Sequence, residues 1–369
     1  MEEVPLQKEQ IRHALLPRVM EISGELVDDH IIIKKSSDVG RLYTKSHFGA
    51  PLSGNLLTLD LLEGVFLLDE GKMRLYHQKK QIDFQHLVMR AAQQIPDFET
   101  KYLVFKDLRK RGHAIFLCPP GSPVTFQRFK QKKEASPPCS IIAFSERDIL
   151  DIDETEHLVS HMGKKHAVLW FALVDEEGDL TYYDVSTIDL KGDIREQTYQ
   201  NGTGVLLKNR CIVFDKKLAT NLLEKEFYGK PFGEALQLSF VEALYLVQHG
   251  VLAIETSTGK TLPEEKLIQA MQRLQPDITQ RLLVFRDLKQ RGLLVKTGFK
   301  FGAHFRAYTK HPDVTHAEYL IHVVEKGFNS IWAEISRAVR LAHSVNKEFV
   351  FARVDGKTVE YIKLGRLRP

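Results

Sequence analysis

YLVFKDLRKRG (Tyr102–Gly112) and LLVFRDLKQRG (Leu282–Gly292) are two versions of one segment, and their spacing, 282 − 102 = 180, decides how this chain is organised. FALVD at Phe171–Asp175 answers FARVD at Phe351–Asp355, and 351 − 171 is again 180. Upstream, HFGAPL (His47–Leu52) aligns with YGKPF (Tyr228–Phe232), Pro51 against Pro231. LLEGVFLLDEG and FVEALYLVQHG follow with a one-residue slip. A repeat this long is not one layer of a solenoid, so each copy is expected to be a complete folding unit.

The 369 residues exceed what one hydrophobic core usually serves. The hydrophobic share, 43%, suits packed cores and excludes a disordered chain. Lys+Arg 52 against Asp+Glu 48 leaves a formal charge of only +4, so distribution matters more than the total. Between Gln280 and Pro312 stand Arg281, Arg286, Lys289, Arg291, Lys296, Lys300, Arg306 and Lys310, with Asp287 the one acid. That excess suits a polyanion or a solvated basic face. Cys118, Cys139 and Cys211 form no CxxC pair, which points to a reducing, cytoplasmic setting without a structural disulfide. No apolar run reaches membrane-spanning length, and the opening MEEVPLQKEQ is polar and acidic, unlike a signal peptide.

Each copy reads as two α+β parts. Short strand-like runs (HIIIKK, GVLLKNRCIVF) precede a helix, SFVEALYLVQHG, with Phe240, Ala243, Leu244 and Val247 on one face and Gly250 as its stop. The strand VLAIE and the helical linker LIQAMQRLQPD come next. The second part opens with the xDLxxRG helix and continues as β-branched runs: LLVKTGF, HFRAYTK, AEYLIHVV and FVFARVDGKTVEYIKL. The last is a hairpin expected to turn at Asp355-Gly356. NSIWAEISRAVRLAHSV is a helix with Ser330 as the expected N-cap and Glu334 in its first turn. The expected domains are residues 1–90, 91–190, 191–275 and 276–369.

The copies differ where chemistry would sit. At the 180-residue offset Tyr308 faces Arg128, Lys347 faces Ala167, and the region of His316 faces EASPPCS, which has no histidine. Tyrosine, histidine and lysine therefore occur together only in the second copy, with the first as an internal control. Such a set fits RNA cleavage without a metal. A base takes the 2′-OH proton, an acid protonates the departing 5′-oxygen, and a cation neutralises the phosphoryl oxygens. Histidine suits the acid. Lysine suits the compact charge. Tyrosine, with an ordinary pKa of about 10, is either a base assisted by nearby cations (Lys300, Arg306, Lys347) or only orients the nucleophile. Taken singly, Tyr308 also reads as half-buried core, His316 as a turn residue and Lys347 as a solvated lysine. His304 and His311 compete with His316. No HExxH or paired Cys/His spacing supports zinc, so no metal or other cofactor is expected. A metal-dependent nuclease would want clustered carboxylates, which this segment lacks.

GFKFGAHFRAYTKHPDVTHAEYLIHVV, followed by RAVRLAHSVNKEFVFARVDG, resembles the catalytic domain of archaeal tRNA-splicing endonucleases. The family pattern has a tyrosine in FRxY, a histidine opening HxEYL and a lysine just before the FVFA strand: Tyr308, His316 and Lys347 here. KTGFKFG (Lys296–Gly302) belongs to the same signature. The duplicated layout resembles the fused class, in which a degenerate unit precedes a catalytic one and two chains form the enzyme. The resemblance implies a catalytic domain of restriction-endonuclease-like type. It also implies a homodimer, and precursor tRNA cut at bulge–helix–bulge intron boundaries to leave 2′,3′-cyclic phosphate and 5′-OH ends. A pair of arginines clamping a bulge base falls on Arg340 and Arg366, with Lys300 and Arg306 as further RNA contacts. An acidic loop that joins the two chains falls on Asp175, Glu176, Glu177 and Asp179, which the second copy reduces to DGK. The basic, Pro-rich stretch FQRFKQKKEASPPCSII departs from the pattern and has no assigned role.

Overall fold

The computed structural model describes residues 22–128 and 137–369. The opening MEEVPLQKEQ and the centre of the basic, Pro-rich stretch lie outside the described residues.

The duplication is written into the elements. Helix Phe98–Lys110 is repeated as Ile278–Gln290, helix Ile152–Lys164 as Trp332–Ser344, and strand Cys139–Ser145 as Tyr319–Glu325, each displaced by 180 residues. Even backbone exceptions recur at that spacing. His47 and Phe227 have φ 53° and 58°, and His166 and Asn346 have φ 50° and 53°. A non-glycine residue enters this left-handed region only where its surroundings require it, so these positions are constrained in both copies.

The chain divides into two compact units. One takes the described residues up to Ser145 together with Phe171–Thr181. It holds a six-stranded sheet in the order Ala50–Leu52, Leu56–Leu59, His30–Ile33, Ile22–Val27, Met73–His77, Lys80–Ile82. Helix Leu61–Asp69 opens with a capping box. Asp60 accepts from the Glu63 amide at 2.8 Å, and Glu63 accepts from the amides of Asp60 and Gly49 at 3.1 and 2.8 Å. Burial and the Asp60 carboxylate push the Glu63 pKa up to about 8. Strands Ile115–Leu117, Phe126–Arg128 and Cys139–Ser145 pair antiparallel in that order.

The other unit takes Glu146–Trp170 and Tyr182–Arg368. Its first sheet runs Lys230–Phe232, Ala235–Leu238, Cys211–Val213, Gly202–Leu206, Leu252–Thr256, with the last two parallel, as their counterparts are in the other unit. Helix Phe240–Gln248 packs against it. The expected single apolar face is a correction here. Phe240 through Leu246 are all buried, because this short helix is enclosed on all sides. The exception by chemistry is Glu242, which closes a capping box with Ser239 and also meets Lys296 at 3.3 Å. The core continues through Phe285 and Leu288 of helix Ile278–Gln290 to Phe305, Val350 and Ala352 of the second sheet.

That sheet orders Leu294–Thr297, Phe305–Tyr308, Tyr319–Glu325, Glu348–Asp355 and Thr358–Leu367. Tyr319–Glu325 and Glu348–Asp355 are parallel and need a crossover, supplied by helix Trp332–Ser344. Its buried Trp332, Ile335, Val339 and Ala342 follow helical spacing. Two details correct the sequence reading. Asn329–Ile331 is a strand paired with Ile149–Asp151, so Ser330 does not cap the helix; Ile331 takes that position without a side-chain cap, and Ser330 Oγ donates to Glu334 at 3.1 Å. Asp355 pairs with Thr358, so the hairpin turns at Gly356-Lys357 with a positive φ, 61°, at its first central residue.

Duplicate strands meet each other within this unit. Leu150 pairs with Ser330, its own counterpart 180 residues on. Residues 182–187 pair antiparallel with 367–362, also centred on equivalent positions. One chain thus contains the self-complementary strand contact that a two-fold dimer would make. Arg353, buried on the sheet, ties this contact down: it reaches Asp153 of helix Ile152–Lys164 and Glu360 of the hairpin, both at 2.6 Å.

Candidate active site

Tyr308 ends strand Phe305–Tyr308, paired with Leu294 at the end of the hairpin away from the Gly298–Gly302 turn. It is 7% exposed and packs with Leu294 and Ala317, with Ile194 and Phe227 at the margin. Strand alternation puts Arg306 on the same side, its guanidinium 5.8 Å from the Tyr308 ring centre. The Arg306 Nε is buried and has no hydrogen-bond partner among the described residues.

Register brings the remaining residues alongside. Arg306 pairs with Leu320 and Ala307 with Tyr319, which sets Tyr308 opposite Glu318. Tyr319 in turn pairs with Glu348, whose amide donates to the Glu318 carbonyl at 2.9 Å. Lys347 therefore enters at the same sheet end as Tyr308. Left-handed Asn346 turns the chain from helix to strand, and the Lys347 amide closes the helix end on the Ala342 carbonyl at 3.0 Å. Lys347 Nζ donates to the Ala317 carbonyl at 3.0 Å and lies 5.7 Å from the Phe301 ring centre. Ala317 is thus the joint: its side chain packs on Tyr308, its carbonyl holds Lys347, and the residue before it is the exposed His316. Partial burial, and then the Arg306 charge, hold the Lys347 pKa below the usual lysine value.

The competing histidines have partners of their own. His311 lies edge-on to Phe227 at 4.5 Å and 3.4 Å from Asp313. His304 lies tilted against His322, ring centres 4.5 Å apart, and accepts from the Val323 amide at 2.8 Å, which leaves its proton on Nε2. Among the described residues no group of three His, Cys, Asp or Glu side chains is arranged to hold a metal ion. Sequence reasoning missed Ala317, Phe301 and Glu318, which accepts from Thr309 Oγ1 at 2.7 Å. The glutamate of HAEYL was in plain view, but no local rule gives an alanine carbonyl a role.

Arg340 and Arg366 form a second cluster, around Tyr183. Tyr183 stands in register with Arg366, stacks on Trp332 at 5.8 Å, and bonds Ser336 Oγ at 2.9 Å, one helical turn before Arg340. Burial raises the Tyr183 pKa, while the Ser336 bond and the nearby charges of Arg340 and Arg366 act the other way. Both are exposed. Helix Trp332–Ser344 links this cluster to Lys347.

The basic segment is only partly available. Arg281 pairs with Asp277, Lys289 with buried Glu226, Arg291 with Asp287 and Asp189, and Lys296 with Glu242. Arg286, Lys300, Arg306 and Lys310 have no carboxylate within ion-pair distance among the described residues. In the other unit, Asp175 Oδ1 accepts from the amides of Glu177 and Asp179 at 3.1 and 2.9 Å. With Gly178 at φ 84° this makes a tight turn that exposes Glu176, Glu177 and Asp179.

Comparison with known proteins agrees with this layout. Residues 278–361 match the model of the tRNA intron endonuclease catalytic C-terminal domain. The N-terminal domain of the same family matches twice, at residues 22–88 and 202–268. The tRNA-splicing endonuclease of Methanococcoides burtonii is 34% identical, covering 94% of this chain and 99% of its own length. That of Methanosarcina barkeri is 32% identical over 93% of this chain and 99% of its own. That of Methanopyrus kandleri is 37% identical over only 38% of this chain but 80% of its own length, so it matches a single stretch. The chain belongs to the tRNA intron endonuclease family.

Proposed function

We propose that this chain cuts precursor tRNA at bulge–helix–bulge intron boundaries, without a metal ion, as a homodimer in the cytoplasm. Tyr308 takes the proton of the 2′-OH as its base, or orients that hydroxyl while the proton passes to water. The 2′-oxygen attacks phosphorus, the bond to the 5′-oxygen breaks, and His316 gives that oxygen its proton. Lys347 offsets the charge on the phosphoryl oxygens. Products are a 2′,3′-cyclic phosphate and a 5′-OH. Arg340 and Arg366 hold an unpaired base between guanidinium planes. Lys300 and Arg306 contact the RNA backbone.

The observation that carries the reading is Ala317, which touches Tyr308 and Lys347 and directly follows His316. A non-catalytic RNA-binding subunit would have no need of an exposed imidazole at that joint. The acidic turn supports the dimer: the acids of one chain's first copy would meet cations of the other chain's basic segment other than Lys300 and Arg306, and complementary charge selects that pairing. His316→Ala tests the reading. It should abolish turnover of bulge–helix–bulge RNA while RNA binding is retained. Retained turnover, or loss of binding instead, would remove the assignment of His316 as the acid.

A further inference from the structure

Phe299 stands out among the described hydrophobic residues: 86% of its surface is exposed. An aromatic ring facing water on a mobile loop would carry little meaning, but the backbone that presents this ring is held. Phe299 begins a single 3-10 turn, Phe299–Phe301. The Gly298 amide donates to the His304 carbonyl at 3.0 Å, and the Phe301 amide to the Gly298 carbonyl at 2.8 Å. A Cβ on Gly298 would lie 2.8 Å from the Phe305 backbone, so the turn sits tight against the strand that carries Tyr308. Gly302, φ 67°, closes it.

The turn also belongs to the candidate site. Phe301, two residues on, presents its ring to Lys347 Nζ at 5.7 Å. Between the two rings stands exposed Lys300, which has no carboxylate partner among the described residues. Val314, 73% exposed, lies two residues before His316. Apolar surface therefore borders the site from both loops that build it. At the 180-residue offset the first copy has Pro119, Pro120 and Gly121 in place of Phe299, Lys300 and Phe301, so the aromatics, like the tyrosine, histidine and lysine, occur only in the second copy.

We propose that Phe299 is a stacking platform for an unpaired nucleobase beside the cleaved linkage, with Lys300 on the adjoining phosphate. The inference rests on the reading of the chain as an RNA endonuclease. A base is the occupant favoured because every nucleobase has a π face, and an aromatic presented from a hydrogen-bonded turn receives it with little backbone ordering. The flanking cations, Lys300 and Lys347, fit a phosphate backbone and not an apolar protein surface.

Two parallel measurements test this. The first is the Kd for a bulge–helix–bulge RNA carrying a 2′-deoxy sugar at the cut site, read by fluorescence anisotropy. Phe299→Ala should weaken binding by about 5- to 150-fold, the loss of one stacked base, and Phe299→Trp should restore it. An abasic residue at the stacked bulge position should weaken wild-type binding equally, and adding Phe299→Ala to it should cost nothing more. Unchanged binding in Phe299→Ala, or additive losses at every abasic position, overturns the proposal. So does a smaller sedimenting mass for Phe299→Ala, which would make the ring a contact between copies. Cleavage of the all-ribose RNA by wild type is the second measurement. Its failure counts against the endonuclease reading alone, because the binding series stands without it.

Discussion

Replacing Lys289 with methionine strands a carboxylate inside the protein. The Glu226 side chain is wholly buried and that of Lys289 is 4% exposed, and the two are in direct contact. Glu226 keeps only neutral donors once the ammonium is gone: the Tyr199 hydroxyl at 3.0 Å, the Gln197 amide at 2.8 Å and the Tyr228 hydroxyl at 3.5 Å. Removing one partner of a buried pair costs about 3–5 kcal/mol. For a unit of this size that is a fall of roughly 6–20 °C in Tm. Glu226→Gln should be milder, because Lys289 retains the Tyr228 ring at 5.1 Å. The first copy already uses that solution: Arg109, 180 residues before Lys289, lies 3.7 Å from the Phe48 ring centre and donates to the Ser46 carbonyl at 2.6 Å. The double variant Glu226→Gln/Lys289→Met should recover most of the loss. Calorimetry and urea unfolding of the three variants measure it. A Lys289→Met protein within about 1 kcal/mol of wild type, or a double variant no better than the single one, would refute the reasoning.

The working form of Lys347 is the ammonium, and its pKa is depressed, so activity should fall at lower alkaline pH than an ordinary lysine would give. Arg306→Gln removes a repelling charge and should move that alkaline limb upward; an unmoved limb in the pH–rate profile contradicts it. Burial, then His322 and Arg281, press the His304 pKa down to about 3 against the pull of Asp277, and burial and Arg281 lower that of His322. Unfolded histidine titrates near 6.5. Their contribution is present above that value and lost as pH falls from about 6.5 toward 3. His322→Phe, among Phe328, Phe349 and Phe351, should make the fall of the urea midpoint shallower between about pH 7 and 5; an equal fall opposes the account. Replacing Asp175, Glu176, Glu177 and Asp179 with Ser or Asn should give a monomer by sedimentation, and an unchanged dimer removes the acidic turn from assembly.

Periodic features were legible because they are local. The xDLxxRG helices, the NSIWAEISRAVRLAHSV helix and the one-residue slip between LLEGVFLLDEG and FVEALYLVQHG all read directly from residue order. The slip reappears as equivalent capping boxes at Asp60–Glu63 and Ser239–Glu242. Where tertiary contacts compete, local rules misled. Ser330 has the chemistry of a cap, yet pairing with Leu150 claims it for a strand. Asp355-Gly356 looked like the turn, but cross-strand register moves the turn one residue on. The basic stretch overstated its charge: Asp277 and Asp287 neutralise it locally, and two further partners are remote, Glu226 lying 63 residues before Lys289 and Glu242 lying 54 before Lys296. Tyr308, His316 and Lys347 were visible through contrast between copies. Ala317 was not, since its part is played by a backbone oxygen and a methyl group.

The end groups of the RNA products, formed in excess chelator from a bulge–helix–bulge substrate, test the central claim most directly. The account predicts a 2′,3′-cyclic phosphate and a 5′-OH at each cut. Cleavage that stops in chelator, or that leaves a 5′-phosphate, would contradict it.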